Sequence, residues 1–439
     1  MIRLLYNLLF PIGLLFFLPG YLIKIRRRGN YRRNFGQRFG LFSGEVRASL
    51  AGPQPTWIHA VSVGEVAIAL KLAAKLRQLE PGFRCVLTTT TTTGFAIAEK
   101  EAAAWMHVMY NPLDFWPVVQ RAFATIRPKR IVLVEAEVWP NLAAGARVRR
   151  IPLALVNARL SPRSERRFRR FHSFVAPTFR CLDLVCVQER GDIARWASLG
   201  VRPEAIKEVG SIKYDPTDLG GDMLLAQRIL GSYCIDEARP ILFGGSTHPG
   251  EEEILAGVFQ RLRAEFPSLV LVVAPRHVER TAEIVARLRQ LGLRVGLRSA
   301  VEAAPAPEPD CLLLDTTGEL RDWYAVATVV FIGKSLTALG GQNPAEPILA
   351  GKPVVFGPHM ENFASLAGSL LARDGAVQAN DADALVASIA ALLHDPARCA
   401  LMVENAVGVL AQHRGATQRT AELLLMVRSR VDGSGGVGK

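Results

Sequence analysis

Short apolar runs that alternate with amphipathic helical segments are the feature that most constrains the fold, and the sequence carries this alternation twice. In the first half, the segment Gly64–Leu79 has apolar residues at helical spacing and lies between two runs rich in β-branched residues. Apolar strands separated by helices are typical of a parallel sheet that is covered on both faces. The strands predicted in the first half are Trp57–Val61, Arg84–Thr90, Arg130–Val134, Pro152–Asn157 and Leu182–Val187.

The same alternation restarts near residue 206, without an obvious sequence repeat. The helix Glu251–Glu265 separates the first two strands of this second half. Two such halves predict an α/β protein with two facing Rossmann-like domains, which is the GT-B arrangement of glycosyltransferases. Ligands of such sheets bind at the carboxyl ends of the strands, so we expect the active site in the cleft between the domains. The strands predicted in the second half are Pro240–Phe243, Ser268–Val273, Leu293–Leu297, Cys311–Leu314, Val329–Ile332 and Pro353–Phe356.

Positive charge is concentrated in two parts of the chain. The 439 residues include 49% hydrophobic residues, enough for two cores, and carry a formal net charge of +13. No acidic residue precedes Glu45, and a second basic cluster follows Asn157 with only Glu165 among its arginines. Such patches attract the phosphates of nucleic acid or of anionic lipid, although the second cluster is equally compatible with a solvated basic face. The two clusters consist of Arg3, Lys24, Arg26, Arg27, Arg28, Arg32, Arg33 and Arg38, and of Arg159, Arg163, Arg166, Arg167, Arg169 and Arg170.

The N-terminal segment Leu4–Ile23 is an uncharged, mainly apolar run whose length suits the core of a bilayer. A cleavable signal peptide is the first alternative, but the basic cluster follows the apolar run and no small-residue cleavage site precedes it. The basic flank predicts that residues after Lys24 stay in the cytoplasm. Pro11 and Pro19 leave open a monotopic segment that enters one leaflet without crossing.

The six cysteines are scattered along the chain, and no pair has the spacing of a zinc site or of a CxxC motif. We interpret them as reduced core residues of a cytosolic protein. The sequence therefore predicts no metal site.

Several polar motifs of the first half follow predicted strands. The first strand ends in His59–Glu65, where Gly64 leads into a helix and Glu65 lies at the helix start. A carboxylate at that position is suited to take a proton from an attacking hydroxyl, but the helix dipole lowers its pKa, and an ordinary helix-start residue is the alternative. The run Thr88–Thr93 either lines a polar cleft or combines strand residues with a helix cap. Glu135 and Glu137 follow another strand, where a structural role is the favoured interpretation for Glu135 and contact with the acceptor is the functional interpretation for Glu137.

The strand ends of the second half carry groups that suit a nucleotide sugar. The loop Gly244–His248, which contains Ser246 and Thr247, is Gly-rich and precedes a helix, as is typical of phosphate binding. Arg276 and His277 at the end of the next strand are suited to grip an anion. Further along lie two loops with glycines that let a ligand approach the backbone, Phe331–Ser335, which contains Gly333, and Gly340–Pro347, which contains Asn343 and Glu346. A carboxylate such as that of Glu346 accepts hydrogen bonds from both hydroxyls of a ribose.

Taken in order, these motifs resemble the 3-deoxy-D-manno-octulosonic acid (Kdo) transferases of Gram-negative lipopolysaccharide synthesis, over nearly the whole chain. The matching segments are His59–Glu65, Glu135–Leu142, Val156–Arg163, Gly210–Asp215, Ser246–Glu252, Pro275–His277, Asp315–Leu320, Gly340–Glu346 and Gly357–Phe363.

The resemblance implies an inverting, metal-independent transfer of Kdo from CMP-Kdo to the lipid A precursor lipid IVA, without a cofactor. It implies that Glu65 is the general base, which deprotonates the primary hydroxyl of the acceptor's glucosamine disaccharide. It assigns donor binding to Arg276, His277, Asn343, Glu346, Ser246, Thr247, Lys213 and Gly333, and acceptor binding to Glu137, Arg159 and Arg163. Three features depart from the expected pattern, namely Lys334 in place of a second glycine, the pair Ala338-Leu339 before Gly340, and Pro347 directly after Glu346.

On this interpretation the protein lies at the inner membrane with its catalytic domains on the cytoplasmic face, and nucleic acid is not a partner. The domains predicted are a membrane anchor with its basic flank (1–40), an acceptor domain (41–205), a nucleotide-sugar donor domain (206–425) and a flexible tail (426–439). A nucleotide-sugar epimerase of the same fold would explain the donor loops but not the anchor. A non-catalytic binder of anionic lipid would explain the charge but not the donor loops. The number of Kdo residues added stays open.

Overall fold

The apolar runs build two parallel sheets, each with seven strands. The structure, a computed structural model, describes residues 2–27, 34–215, 223–302 and 308–428. It divides into two compact units, one formed by the described residues up to Asp215 together with those from His413 onward, and one formed by the residues between them.

The elements of the first unit alternate between strand and helix from Thr56 onward. Its helices are α1 (Ile2–Arg27), α2 (Gly44–Ser49), α3 (Val63–Leu79), α4 (Thr92–Lys100), α5 (Trp116–Ile126), α6 (Pro140–Val148), α7 (Pro162–Arg170), α8 (His172–Phe179) and α9 (Gly191–Ser198), with 3-10 turns at Phe35–Phe39 and Pro203–Ala205. Its strands are β1 (Thr56–His59), β2 (Cys85–Thr89), β3 (Met106–Tyr110), β4 (Arg130–Val134), β5 (Leu153–Ala158), β6 (Leu184–Val187) and β7 (Ile206–Glu208).

Strands of the first sheet lie in the order β3-β2-β1-β4-β5-β6-β7 and run parallel. Their side chains alternate between two apolar layers, because successive residues of a strand point to opposite faces. Trp57 and Ile131 pack in one layer, whereas Ile58 and Val132 pack in the other. The chain progresses outward in opposite directions from β1 and β4, so the crevice at the carboxyl ends of these two strands is the switch point where ligands of such sheets bind.

The second unit repeats this architecture. Its helices are α10 (Met223–Ser232), α11 (Glu251–Leu262), α12 (Thr281–Gln290), α13 (Leu320–Val326), α14 (Ala345–Leu349), α15 (Ala364–Leu371), α16 (Ala382–His394) and α17 (Pro396–Ala411), with 3-10 turns at Val278–Arg280, Arg298–Glu302 and Glu361–Phe363. Its strands are β8 (Ile241–Thr247), β9 (Val270–Pro275), β10 (Val295–Leu297), β11 (Cys311–Leu313), β12 (Val329–Ile332), β13 (Val354–Phe356) and β14 (Val377–Gln378). They are ordered β10-β11-β9-β8-β12-β13-β14, which places the switch point between β8 and β12.

The boundary between the units differs from the predicted division at residues 205/206 and 425/426. Strand β7 pairs with β6 and therefore extends the first sheet. The last helix, α18 (Ala416–Met426), also belongs to the first unit, since Ala421 and Leu424 are buried in the apolar layer that contains Val66 of α3. Arg130 fixes this helix by donating from Nη1 to the carbonyl oxygen of Leu424 (2.8 Å).

One side of α1 packs against the rest of the first unit. Asn7 Oδ1 accepts from the N–H of Trp116 (3.0 Å), and the Asn7 and Asn141 side chains are hydrogen-bonded at 2.9 Å. The ring of Phe10 stacks on that of Phe115, with 5.6 Å between the centroids.

No single helix among the described residues is long and apolar enough to cross a membrane; the segments 382–394 and 396–426, the second of which includes α17 and α18, meet that test only as a pair bent by 104°. Side chains of the predicted basic flank from Lys24 to Arg33 lie outside the described residues, as does the predicted flexible tail from residue 429 onward.

Candidate active site

Backbone strain marks the carboxyl ends of the central strands in both units. Nine non-glycine residues of the described chain have positive φ, a region that favours glycine. Four of these nine lie at the carboxyl ends of β4, β5, β8 and β12, namely Glu135 (φ 63°), Asn157 (φ 50°), Ser246 (φ 57°) and Lys334 (φ 59°). Strained backbone concentrates at functional sites, so the two switch points are the candidate sites on grounds independent of side-chain chemistry.

Glu65 lies in the first turn of α3, next to the carboxyl end of β1. The helix is capped by Ser62, whose hydroxyl oxygen accepts from the N–H of Glu65 (3.4 Å). The Glu65 carboxylate accepts in return from the Ser62 hydroxyl (2.8 Å) and from the N–H of Val61 (2.9 Å). These bonds fix the carboxylate at the strand-to-helix turn, and its exposed fraction is only 8%.

Burial raises the pKa of Glu65 to about 7, even though the hydrogen bonds from Val61 and Ser62 oppose the shift. The nearby carboxylates of Glu135 and Glu137 raise it further. The shift is therefore opposite in direction to the effect of the helix dipole, because loss of hydration is the larger effect here. A carboxyl with a pKa near neutrality is suited to general base catalysis.

Glu135, Glu137, Arg159 and Lys213 lie near one another around this switch point. Burial raises the pKa of Glu137, which the Trp139 side chain opposes and Glu135 reinforces. Burial also lowers the pKa of Lys213 to about 8, against the attraction of Glu135 and together with the repulsion of Arg159. Lys213 was predicted with the donor residues of the second half. It belongs instead to the first unit, because the segment that follows β7 remains part of that unit.

Arg163 lies at the start of α7. Its side chain is exposed, as are those of most arginines of this helix. Glu165 accepts from Arg169 and Arg195 and so ties α7 to α9. Among the described residues, Arg163 forms no hydrogen bond or ion pair with Glu65 or Glu137.

The threonine run and the preceding histidine are structural. Thr88 and Thr89 are buried in β2, and the Thr91 hydroxyl caps α4 by accepting from the N–H of Gly94 (3.0 Å). His59 is fully buried beside Thr88, and burial lowers its pKa to about 4. Of the two interpretations of Thr88–Thr93, strand residues followed by a helix cap is the one that fits these observations.

In the second unit, the loops after β8 and β12 touch at the switch point. A Cβ on Gly333 would lie 2.2 Å from the carbonyl oxygen of Ser246, so only glycine allows this approach. Gly333 thus serves to bring the two loops together, and the Ser246 backbone beside it is in the left-handed region.

Glu251 is the group that holds these two loops. It is fully buried at the start of α11, and its carboxylate accepts from four backbone N–H groups. The donors are His248 (2.9 Å), Lys334 (2.7 Å), Ser335 (3.0 Å) and Leu336 (3.0 Å). A single carboxylate therefore sets the backbone of both candidate donor loops.

The predicted anion ligands of β8 and β9 differ in accessibility. Thr247 is fully buried, and its hydroxyl donates to Glu252 (3.0 Å), so that hydroxyl is engaged within the protein. Arg276 and His277 are exposed at the end of β9, and the Arg276 N–H donates to the carbonyl oxygen of Thr247 (3.0 Å). The His277 ring lies 5.9 Å from that of His248.

Asn343 and Glu346 lie together at the start of α14. The Asn343 amide donates to Glu346 Oε1 (3.4 Å), and its oxygen accepts from the N–H of Ala345 (3.1 Å). The helix spans only Ala345–Leu349, with Pro347 inside it. The Glu346 carboxylate is half-buried, and its charge adds to burial in raising the pKa of Tyr324, whose hydroxyl lies against Gly245.

Sequence reasoning assigned no role to two residues that shape the sites. One is Glu251, whose signal was a carboxylate directly after Gly250 at a helix start. The other is Asn157, whose Oδ1 accepts from the Ser211 hydroxyl (3.1 Å) and the Ile212 N–H (2.9 Å) and so positions the segment with Lys213. Within the described ranges, no three His, Cys, Asp or Glu side chains are grouped as metal ligands.

Solved structures share the two-sheet fold at low sequence identity. Anabaena Alr3699/HepE in complex with UDP is similar with a TM-score of 0.55 and 15% identity, over 85% of this chain and 100% of that one. UDP-GlcNAc 2-epimerase from Neisseria meningitidis is similar with a TM-score of 0.52 and 11% identity, over 85% of this chain and 100% of that one. At this identity the likeness concerns the fold alone.

Proteins of similar sequence identify the family of this chain. Residues 33–216 match the family model described as 3-deoxy-D-manno-octulosonic-acid transferase (kdotransferase). The 3-deoxy-D-manno-octulosonic acid transferase of Bordetella pertussis is 36% identical over 91% of this chain and 94% of its own. The enzyme of the same name from Haemophilus influenzae is 33% identical over 90% of this chain and 91% of its own. The chain therefore belongs to the 3-deoxy-D-manno-octulosonic acid (Kdo) transferase family and is a glycosyltransferase.

Proposed function

We propose that this Kdo transferase moves Kdo from CMP-Kdo to lipid IVA in lipopolysaccharide synthesis, with Glu65 as the general base. The observation that carries the assignment of Glu65 is its buried carboxylate at the β1/β4 switch point, with a pKa of about 7. A base of that pKa takes up a proton readily near neutral pH.

The proposed reaction is a single displacement. Glu65 takes the proton from the primary hydroxyl of the acceptor disaccharide, and the oxygen forms a bond to the anomeric carbon of Kdo. The bond between that carbon and the CMP phosphate breaks, and its electron pair leaves with CMP. Attack opposite to the leaving group inverts the anomeric centre.

Residues of the first unit would bind the acceptor, and residues of the second unit would bind the donor. On the donor, Arg276 and His277 would bind the phosphate or the sugar carboxylate, because both are exposed nitrogen donors at a strand end. Asn343 and Glu346 would bind the ribose. On the acceptor, Glu137 and Arg159 lie close to Glu65 or its neighbours and would bind the sugar and its phosphate.

We also infer that the protein lies at the cytoplasmic face of the inner membrane, whether its first helix spans the bilayer or is monotopic. Within residues 3–16, α1 exposes mainly large apolar side chains, which favours burial in lipid. These side chains are Leu4, Leu5, Leu8, Leu9, Ile12, Leu15 and Phe16. The exposed arginines of α7, including Arg163, would add attraction to anionic headgroups.

Acceptor-dependent release of CMP tests the proposed function. Purified protein in detergent would be given CMP-Kdo with and without lipid IVA, in the presence and absence of a metal chelator. We expect CMP release that requires lipid IVA and is unaffected by the chelator. No release with any acceptor, from folded protein, would contradict transfer and leave the epimerase or the lipid binder as alternatives, and loss of release with the chelator would contradict a metal-independent transfer.

The pH dependence of transfer follows from Glu65. Since burial raises its pKa from the ordinary 4.5 to about 7, we expect kcat/KM to fall as the pH drops below about 7, because the protonated carboxyl cannot accept a proton. The rate would be measured between about pH 5 and pH 9. A profile that stays flat down to about pH 5 would mean that no base of this pKa acts in the rate-limiting step.

Membrane binding is expected to depend on the exposed side of α1. Leu8 and Ile12 are 68% and 64% exposed, so changing both to Glu should lower partition onto anionic phospholipid vesicles by about 100-fold. The measurement is flotation of protein with vesicles. Leu224→Glu is the matched control, since Leu224 is 66% exposed on α10 and should not matter. Equal flotation of both variants would contradict an anchoring role for α1.

A further inference from the structure

Lys334 occupies a backbone position that favours glycine. It directly follows Gly333 at the end of β12 and has a φ of 59°. The conformation is held on both sides, because the Lys334 N–H donates to Glu251 Oε2 (2.7 Å) and its carbonyl oxygen accepts from the N–H of Gly341 (2.9 Å). A lysine in this strained turn at a switch point suggests a role for its ammonium group.

The Lys334 side chain runs along the second candidate donor loop. Its Cε lies 3.5 Å from the place that a Cβ on Gly340 would occupy, and the side chain is half-buried. The backbone N–H groups of Lys334 and His248 donate to the same oxygen, Glu251 Oε2, so the two residues are neighbours, and the charge of Lys334 adds to burial in lowering the pKa of His248. Lys334 therefore joins His248 and His277 at the carboxyl ends of β8, β9 and β12.

In the part of the chain that the structure describes, the Lys334 ammonium group has no carboxylate within 4.0 Å. Two carboxylates lie along these loops: both oxygens of Glu251 accept from backbone N–H groups, and Glu361 Oε2 accepts from the N–H of Gly340 (2.6 Å). A half-buried ammonium group that lacks an acidic partner favours an anionic ligand.

We propose that Lys334 binds the phosphate group of the nucleotide, as a cation that this chain places at the loop after β12. The inference rests on the proposed function, since it requires a nucleotide donor. When the bond between the Kdo anomeric carbon and the phosphate oxygen breaks, the electron pair stays on the phosphate. An ammonium group in contact with that phosphate stabilises the developing charge.

Binding of CMP and of cytidine separates a phosphate contact from a general effect on the site. Both would be measured by calorimetry for the wild type, Lys334→Met and Lys334→Gly. We expect both variants to bind CMP about 10- to 100-fold more weakly than the wild type, because a charge-assisted contact is lost. Cytidine lacks the phosphate, so its binding should be unchanged.

Thermal stability gives a second readout, because Lys334→Gly should raise the stability of the protein although it weakens CMP binding. Lys334→Gly relieves the left-handed strain and should raise the Tm by about 2 °C while it weakens CMP binding. Arg150→Gly is the matched control, because Arg150 is an exposed cation with a φ of 57° in the first unit. It should raise the Tm similarly without changing CMP binding.

Wild-type affinity for CMP in both Lys334 variants would overturn the inference while the proposed function stands. Equal weakening of cytidine and CMP would also overturn it, because the lysine would then act on the shape of the site. Failure of the wild type to bind CMP would overturn the proposed function and this inference with it.

Discussion

Glu65→Gln is expected to lower kcat for Kdo transfer by about 10²- to 10⁴-fold, the range that a general base contributes. Gln has nearly the same volume as Glu, and its side-chain oxygen still accepts one of the hydrogen bonds from Val61 or Ser62. It cannot take up the proton of the acceptor hydroxyl. We therefore expect CMP binding and Tm to change little, so that the loss lies in kcat.

Glu101→Gln is the matched control for this substitution, because Glu101 is an exposed Glu of the same unit, at the end of α4. Its kcat should equal that of the wild type. Steady-state rates of CMP release with lipid IVA measure the difference. A Glu65→Gln enzyme that keeps more than about a tenth of the wild-type kcat would show that another group accepts the proton.

Glu251→Ala is expected to destabilise the second unit by about 3–5 kcal/mol, because it leaves four backbone N–H groups without their acceptor. An unsatisfied donor costs about 1–3 kcal/mol when buried, and water relieves part of that cost at the exposed side of the loops. The Tm of this unit should fall by roughly 6–20 °C. CMP binding should weaken as well, since the loops after β8 and β12 lose their common support.

Glu253→Ala is the matched control on the same helix. Its carboxylate forms an ion pair with Arg287, which is half-exposed, and a surface pair of this kind contributes about 1 kcal/mol at most. Differential scanning calorimetry of both variants gives the comparison. If Glu251→Ala lowers the Tm no more than Glu253→Ala, the four hydrogen bonds do not hold the loops.

The sequence predicts most of the sheets because their strands are buried on both faces. The bounds of β4 and β12 are as predicted, since each contains an uninterrupted run of four apolar residues, Ile131–Val134 in β4 and Val329–Ile332 in β12. Strand β3 was not predicted, because its run Met106–Tyr110 contains a histidine and is only partly buried. Strand β7 has three residues, and nothing in so short a segment indicates which sheet it joins.

The part of the candidate site that neighbouring residues in the sequence determine was predictable. The turn of Gly64 into a helix places Glu65 at the end of β1, and a capping residue at Ser62 is visible in the sequence. The pKa of Glu65 was not predictable, because it depends on burial and on Glu135 and Glu137, which are remote in sequence. The sequence also could not indicate that the Thr247 hydroxyl would donate to Glu252 inside the unit.

The mass of the lipid product tests the central claim most directly. Lipid IVA would be incubated with CMP-Kdo and either the wild type or Glu65→Gln, and the lipid would be analysed by mass spectrometry. We predict that the wild type adds one or more whole Kdo residues, with one CMP released for each, and that Glu65→Gln leaves most of the lipid unchanged. An unchanged lipid mass with folded wild-type protein would contradict transfer to lipid IVA.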